Sequence, residues 1–148
     1  MAEPDHHDVT ACARAWQTLR LAHDRVAQRL STDLARDCAL ALNELDVLLH
    51  LRLHAEEAIR LRDLLETVSL SQPALSRLTA RLEARGLLAR SDATDDGRAT
   101  LLRLTDAGTT LIDRAVAVHA RAVHETLTGK FSPSEQAALL QILSQIGR

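Results

Sequence analysis

The side chains whose types and spacing best support a chemical role lie on one predicted helix near the middle of the chain. Helical steps place Leu75, Leu78 and Leu82 on one face, and they place Arg77 on the opposite face beside Ala80 and other small residues. Arginine can donate two hydrogen bonds to the O6 and N7 atoms of guanine, and small neighbours let a helix approach base edges closely. The pattern therefore predicts a helix that reads the major groove of DNA.

Further DNA contacts are predicted along the same helix. Gln72 and Ser76 can reach base edges or phosphate, whereas Arg81 and Arg85 follow at four-residue steps and can hold phosphates. The predicted contact residues on this helix are Ser71, Gln72, Pro73, Ser76, Arg77 and Arg81. The alternative interpretation is a solvated amphipathic helix with ordinary surface arginines.

Helix caps and hydrophobic spacing define the elements that hold this recognition helix. A short helix around Arg62–Thr67 precedes it, and a turn at residues 68–70 joins the two. Ser71 is predicted to cap the recognition helix, with Pro73 in its first turn, and Gly86 is predicted to end it. Two helices joined by so short a turn are typical of a helix-turn-helix motif.

A β-hairpin is predicted after the recognition helix, with strands at residues 87–90 and 99–104 and a turn-forming segment between them. Arg98 comes just after the tip, where the negative potential of a minor groove would attract it. Asp96 lies on the same side of an extended backbone and can orient that arginine, although a weak surface ion pair is the alternative. Helices and hairpin together predict a winged helix-turn-helix between about Leu61 and Gly108.

Longer helices are predicted on both sides of this motif. The first, from about Thr10 to Asp37, would be about 40 Å long, and a chain of 148 residues cannot bury that length by itself. A partner subunit is the expected solution, so the protein is predicted to be a homodimer. Asn43 is predicted to cap a second helix that ends at about Leu53.

The C-terminal part of the chain also shows helix signals. Thr105 is predicted to cap a long helix that stops at Gly129, and residues 132–135 form a capping box that opens a last helix ending near Gly147. The predicted fold class is mainly α, with a small β-hairpin wing in a single domain over residues 1–148. Within that domain the winged helix-turn-helix occupies about 59–108, and the dimerisation helices occupy about 10–58 and 109–148.

Composition limits the possible functions. Apolar residues make up 46% and charged residues 26% of the chain, and the formal net charge is −2, which is typical of a soluble globular protein. No apolar run reaches the roughly 18 residues of a membrane span, and no signal-peptide pattern opens the chain, so a cytoplasmic location is expected. The sequence contains no glycine-rich phosphate loop, nucleophile elbow or zinc-protease motif. The prediction is a protein without enzymatic activity or cofactor.

Four runs of residues together resemble the MarR family of bacterial regulators. The runs are Leu70-Ser-Gln-Pro-Ala-Leu-Ser-Arg77, Leu82-Glu-Ala-Arg-Gly-Leu-Leu-Ala-Arg90, Asp96-Gly-Arg98 and Leu104-Thr-Asp-Ala-Gly108. The resemblance implies a homodimer on a palindromic operator, usually a repressor that a small aromatic ligand or oxidation releases. Family wings often carry two adjacent arginines, whereas here Gly97 precedes Arg98 and three aspartates crowd the tip. We therefore expect the recognition helix to carry more of the affinity than the wing.

Three candidates arise for the signal that the protein senses, and the first is an aromatic anion. Trp16 and Arg20 lie one helical turn apart, so they can stack on and pair with a planar anion. Together with Asp63 and with Arg98, this stretch is similar to the urate-responsive branch of the MarR family. That resemblance implies that these residues bind urate or a related anion such as a phenolic acid. The alternative is that Trp16 is a core residue of a dimerisation helix.

A thiol switch and a metal ion are the other two candidates. Cys12 lies near the N-terminus, as the reactive thiol does in the hydroperoxide-sensing branch of the family, but the chain has no tyrosine to accompany it. His50 and His54 are four residues apart and could share an ion, but the spacing fixes no third ligand, so no metal site is predicted.

A winged helix that binds only another protein is the alternative function, which a steep salt dependence of DNA binding would exclude.

Overall fold

The computed structural model of the protein describes residues 6–92 and 99–146. The helices in these ranges are α1 (His6–Cys38), α2 (Leu42–Leu53), α3 (Leu61–Leu65), α4 (Gln72–Ala84), α5 (Asp106–Thr126) and α6 (Pro133–Ile146). The strands are β1 (Ile59–Arg60), β2 (Leu88–Asp92) and β3 (Thr100–Leu104), and a 3₁₀ turn spans Thr128–Lys130. Six α-helices and three short strands in the described residues confirm the predicted fold class, which is mainly α with a small β-hairpin wing. None of the described helices is long and apolar enough to cross a membrane.

The chain divides into two compact units. The first, which we call the terminal unit, consists of Met1–Thr32 and Ala120–Arg148. The second, the winged-helix unit, consists of Asp33–His119 and contains the predicted helix-turn-helix.

A leucine-rich core holds the winged-helix unit together. Its largest fully buried side chains are Leu34, Leu40, Leu45, Val47, Leu48, Leu64, Leu75, Leu78, Leu82, Leu88, Leu102 and Ile112. Full burial of one such side chain contributes about 1.5–3 kcal/mol. The inner face of α4 lies in this core, so the hydrophobic contacts that stabilise the unit also fix which face of α4 is left outside.

The sheet of the winged-helix unit has three antiparallel strands in the order β1-β3-β2. Leu102 of β3 lies opposite Ile59 of β1 on one side and Arg90 of β2 on the other. Strand β1 corrects the sequence analysis, which predicted only a two-stranded hairpin. The strand is only two residues long, so no alternation of side chains along it could have been recognised.

The caps predicted for α4 are confirmed. The Ser71 hydroxyl oxygen accepts a hydrogen bond from the Ala74 amide at 3.4 Å, and Pro73 lies in the first turn. Gly86 follows the helix with φ of 70°, a conformation that side chains with a Cβ atom rarely adopt. The helix is therefore set by local chemistry at both of its ends.

Thr105 connects the end of α4 to the start of α5. Its hydroxyl donates a hydrogen bond to the Gly86 carbonyl at 2.7 Å and accepts one from the Gly108 amide at 3.0 Å, so the predicted cap is confirmed. A Cβ atom at Gly108 would lie 1.9 Å from the Leu87 carbonyl oxygen. Glycine is required there because the backbone of α5 closely approaches the residue that precedes β2.

Several predicted helix boundaries were wrong. Asn43 does not cap α2, because the helix already begins at Leu42, and the Glu44 carboxylate accepts a hydrogen bond from the Ala41 amide at 2.9 Å. Gly129 does not end α5, since that helix stops at Thr126 and Gly129 lies in the 3₁₀ turn. Helix α3 is also one residue earlier and shorter than predicted, and α1 begins four residues earlier.

The terminal unit buries few of its apolar side chains. Leu30 and Ala122 are buried, and Arg29 forms an ion pair with Glu125 at 2.6 Å. The exposed large apolar side chains of this unit are Val9, Trp16, Leu19, Leu21, Phe131, Leu140, Ile142, Leu143 and Ile146. The capping box of α6 is confirmed, because Ser132 donates its amide to Glu135 at 2.8 Å and Glu135 donates its amide to the Ser132 hydroxyl at 3.4 Å.

Candidate nucleic-acid interface

Helix α4 presents small and polar side chains to solvent. Leu75, Leu78 and Leu82 are at most 2% exposed, which confirms the predicted inner face. The exposed residues of the helix include Gln72, Pro73, Arg77, Ala80, Arg81 and Ala84, and Ser76 is half-buried. A helix with alanines beside its arginines can come close to base edges without steric hindrance.

Arg77 and Arg81 are the exposed cations of α4. Because they lie four residues apart, their side chains project from the same side of the helix, one turn from each other. Within residues 6–92 and 99–146, neither guanidinium has an ion-pair or hydrogen-bond partner. Both groups are therefore available for an anion or for the acceptor atoms of a base.

Ser71 combines two possible roles at the start of α4. Its side-chain oxygen caps the helix through the Ala74 amide. A hydroxyl carries one donor as well as two acceptor lone pairs, so the capping oxygen can still donate a hydrogen bond outward. The residue is exposed, and the positive end of the helix dipole lies beside it, which favours a phosphate at this position.

Arg85 is bound within the protein, which corrects its predicted part in phosphate binding. Its guanidinium lies 3.3 Å from the Glu44 carboxylate and donates a hydrogen bond to the Ala39 carbonyl at 2.8 Å. Glu44 is buried, so this ion pair would be costly to break. Ala39 has φ of 52°, and the contact fixes the corner between α1 and α2 to the end of α4.

Arg90 of β2 is a further cation at α4, and the sequence analysis assigned it no role. Its guanidinium donates hydrogen bonds to the Ser76 carbonyl at 3.2 Å and to the Thr79 hydroxyl, and its Nε lies 3.3 Å from the Glu83 carboxylate. Thr79 is fully buried among the leucines of α4. A threonine at an otherwise apolar position was the one signal in the sequence for this contact, since a buried hydroxyl requires a partner.

A groove of about 270 Å³ lies beside the start of α4. Arg60 of β1, Arg62 of α3 and Gln72 of α4 line it together with Leu75 and with Thr100 of β3. Arg62 lies 3.2 Å from the carboxylate of the neighbouring residue 63, which is itself exposed. The groove places two more arginines next to a predicted DNA contact, Gln72, and so extends the cationic surface beyond α4.

The predicted wing contacts Asp96 and Arg98 lie outside the described residues. The strands that lead to them are described, and Asp92 of β2 pairs with Thr100 of β3. The hairpin predicted after α4 is therefore present at its base.

The predicted ligand-binding residues are divided between the two units. Trp16 and Arg20 lie on α1 in the terminal unit, where the indole is 67% exposed and the guanidinium pairs with Asp24 at 3.3 Å. The exposure of Trp16 argues against a place in the core of the single chain. Asp63 lies on α3 in the winged-helix unit and pairs with Arg62.

The histidines and cysteines that the sequence analysis considered as sensors do not come together in a metal site within the described residues. The rings of His50 and His54 stack with centroids 4.5 Å apart, and burial, followed by the charge of His54, lowers the pKa of His50. Among the described residues, no group of three or more histidine, cysteine or acidic side chains could hold a metal ion. Cys12 is exposed and Cys38 is buried.

The helix-turn-helix, the small-residue outer face and the strands after it define a winged helix-turn-helix of the DNA-binding type. Residues 40–100, which run from before α2 to the first residue of β3, match the model of the MarR family. The chain is 33% identical over 99 residues to the uncharacterised HTH-type transcriptional regulator YdgJ from Bacillus subtilis. The match covers 67% of this chain and 59% of YdgJ, so the chain spans less than two thirds of that relative.

Solved structures of MarR family regulators are similar over almost the whole chain. The structure of Sco3205 from Streptomyces coelicolor, in complex with DNA, has a TM-score of 0.82 at 24% identity. The comparison covers 97% of this chain and 90% of the Sco3205 chain. BpsR from Bordetella bronchiseptica, whose DNA binding is regulated by 6-hydroxynicotinic acid, has a TM-score of 0.77 at 26% identity. That comparison covers 91% of this chain and 99% of the BpsR chain.

Proposed function

We propose that the protein is a sequence-specific DNA-binding transcriptional regulator in which α4 enters the major groove. The observation that carries this proposal is the outer face of α4, where the unpaired Arg77 and Arg81 stand among small residues. Arg77 is assigned to a base edge, and Arg81 and the Ser71 hydroxyl are assigned to phosphates. Gln72, Pro73 and Ser76 complete the contact surface, with Asp96 and Arg98 in the wing.

The experiment measures binding of the protein to the intergenic DNA beside its own gene. A regulator of this kind should bind that fragment more tightly than a scrambled duplex of equal length. Its binding constant should fall steeply with salt, because each phosphate neutralised by a cation releases counterions. Binding that is absent or insensitive to salt would favour the alternative, a winged helix that contacts only another protein.

We propose further that the protein acts as a homodimer. The apolar side chains Trp16 on α1 and Leu140, Ile142 and Ile146 on α6 are between 58% and 70% exposed. Many large apolar side chains left exposed on neighbouring helical turns are typical of protein–protein interfaces, because a monomer rarely exposes so much apolar surface to water. Two copies of α4 related by two-fold symmetry would then bind two half-sites of a palindromic operator.

Repression released by a small aromatic anion is the proposed mode of regulation. It is supported by BpsR, whose DNA binding responds to 6-hydroxynicotinic acid, and by the exposed Trp16 one turn from Arg20. The protein–DNA complex is titrated with urate, 6-hydroxynicotinate and 4-hydroxybenzoate. Release by one of them, with Arg20→Gln weakening release and Arg14→Gln leaving it unchanged, would support this proposal. A complex that persists at millimolar concentrations of all three would contradict it.

Oxidation at Cys12 is the alternative signal, and its exposed thiol is the observation that keeps it open. Peroxide treatment of the wild-type protein and of Cys12→Ser separates the two mechanisms. Loss of DNA binding in the wild-type protein alone would support the thiol switch. Equal binding before and after treatment would exclude it.

A further inference from the structure

We propose that Arg90 is a positioning residue, which holds α4 at a fixed rotation on the wing sheet and thereby sets the specificity of DNA binding. The inference rests on the proposed function, because it assigns the base-reading surface to α4. Arg90 itself is assigned no contact with DNA. Its role is to keep Arg77 and its small neighbours directed at the bases.

The contacts of Arg90 extend along two turns of α4. The guanidinium donates to the Ser76 carbonyl and to the Thr79 hydroxyl, and it pairs with the Glu83 carboxylate. These three residues follow at spacings of three and four, so they form one stripe along the helix. Both hydrogen bonds come from one terminal nitrogen, and Nε faces Glu83 as an ion pair. Because the guanidinium is planar and its nitrogens are fixed relative to one another, a single side chain contacts two successive turns of the helix at once.

The stripe lies on a different side of α4 from Arg77, and Ser76, which is also a predicted DNA contact, meets Arg90 through its backbone carbonyl. With helical steps of about 100°, all three partners of Arg90 lie at least about 100° from Arg77. The side chain of Arg90 is only 25% exposed, which places most of it between β2 and α4. Arg90 can thus hold the helix without covering the side chain of Arg77.

Thr79 is built into this contact as an acceptor. Its hydroxyl is fully buried and donates to the Leu75 carbonyl at 3.0 Å. A hydroxyl has one proton to donate, so its lone pairs remain for the Arg90 guanidinium. Replacement by valine would keep the shape of the side chain and remove the acceptor, which leaves a half-buried charge without one of its partners.

The C-terminal end of α4 already has an anchor of its own. Arg85 ties that end to Glu44 and to the Ala39 carbonyl. Arg77 lies in the N-terminal half of the helix. Among the described residues, Arg90 is the only arginine that binds this half, and it does so through Ser76 and Thr79. Since β2 leads into the wing, the same side chain also fixes the recognition helix relative to the second DNA-binding element.

The first test replaces Arg90 by lysine and measures binding to two DNA probes. One probe is a duplex selected by the wild-type protein from a random-sequence pool, and the other is a scrambled duplex of equal length. Lysine keeps the charge but offers a point charge in place of a planar fork. We expect the affinity for the selected duplex to fall about tenfold, whereas the affinity for the scrambled duplex stays within about twofold because it depends on charge alone.

Arg103→Lys is the matched control. Arg103 is an exposed arginine on the neighbouring strand β3, where it pairs in register with Ala89. This variant should bind both duplexes like the wild-type protein. The concentration of active protein is first determined for each variant by titration at saturating DNA, and all affinities are calculated from that concentration. A variant that is partly unfolded therefore does not give falsely low affinities for the two duplexes.

The second test addresses Thr79 and does not depend on the folding of the Arg90 variant. Thr79→Val should lose the same fraction of specific binding as Arg90→Lys, and Thr79→Ser, which keeps the hydroxyl, should restore it. The double variant Thr79→Val/Arg90→Lys should be no weaker than either single variant, because both remove one interaction.

The outcomes separate this inference from the proposed function. A wild-type protein that selects no duplex from the pool would overturn both. If the wild-type protein selects a duplex, and if Arg90→Lys and Thr79→Val prefer that duplex over the scrambled one as strongly as the wild-type protein does, the positioning role is overturned. The proposal of DNA binding is then unaffected. Equal loss on both duplexes would also overturn it, since Arg90 would then contribute only charge or stability.

Discussion

The winged-helix unit and the terminal unit differ in how they treat apolar side chains. Of the eleven exposed large apolar side chains in the described residues, nine belong to the terminal unit, and Leu53 and Val116 are the exceptions. The winged-helix unit buries an extended leucine core, whereas Leu140 of α6 is 70% exposed. One unit carries an extended core in a single chain, and the other leaves most of its large apolar side chains exposed, as the proposed dimer would require.

A substitution in the leucine core of the winged-helix unit should have the largest effect. Leu82→Ala removes a fully buried side chain and should lower the free energy of unfolding by about 2–5 kcal/mol. Urea denaturation measures the change. The control is Leu53→Ala, at a leucine that is 72% exposed in the same unit, which should change the value by no more than about 0.5 kcal/mol. Similar losses in both variants would refute the assignment of the core.

A charge on α6 tests the terminal unit. Leu140→Glu places a carboxylate at an exposed leucine of the proposed interface and should raise the dissociation constant of the dimer at least about tenfold, equivalent to about 1.4 kcal/mol. Sedimentation velocity over a range of concentrations reports this constant. Gln141→Glu adds the same charge at the next exposed position and should leave the dimer intact. A monomeric wild-type protein, or a dimer unaffected by Leu140→Glu, would contradict the proposed interface.

The smallest effect concerns the capping box of α6. Hydrogen bonds from the Ser132 amide, and then from its hydroxyl, lower the pKa of Glu135 below its ordinary value of 4.5. A lowered pKa in the folded state stabilises the protein above pH 4.5, and this stabilisation is lost as the pH falls through the lowered pKa. Thermal unfolding of Glu135→Gln and of Ser132→Ala should therefore show a weaker decline below pH 4.5 than the wild-type protein. Unchanged pH profiles in both variants would argue against the box.

Much of the winged-helix unit could be predicted because its signals are local. The leucine spacing of α4, the Ser71 cap and the Gly86 C-terminus each depend on residues within a few positions of one another. Boundaries were less predictable where a neighbouring side chain competed for the cap. Glu44 binds the Ala41 amide from within α2, so the helix begins before Asn43 despite the favourable type of that residue.

The contacts of Arg85 and Arg90 could not be predicted from local spacing. Arg85 meets Glu44 across 41 positions, and Arg90 meets Thr79 across a turn and 11 positions. Surface arginines and internally bound arginines have the same spacing in the sequence, and only the packing of α2 and β2 against α4 distinguishes them. The structure therefore divides the arginines of this region into Arg77 and Arg81, which face solvent, and two that hold the helix.

The most direct measurement of the central claim is the DNA affinity of Arg77→Ala, compared with Arg114→Ala, which removes an exposed arginine from α5. Both variants are titrated against the selected duplex and the scrambled duplex over a series of salt concentrations. The account predicts that Arg77→Ala loses at least about tenfold in affinity for the selected duplex, because a base-reading arginine contributes about 1–3 kcal/mol of discrimination. Arg114→Ala should retain the wild-type preference. An Arg77→Ala variant that discriminates the two duplexes as well as the wild-type protein would contradict the assignment of α4 as the recognition helix.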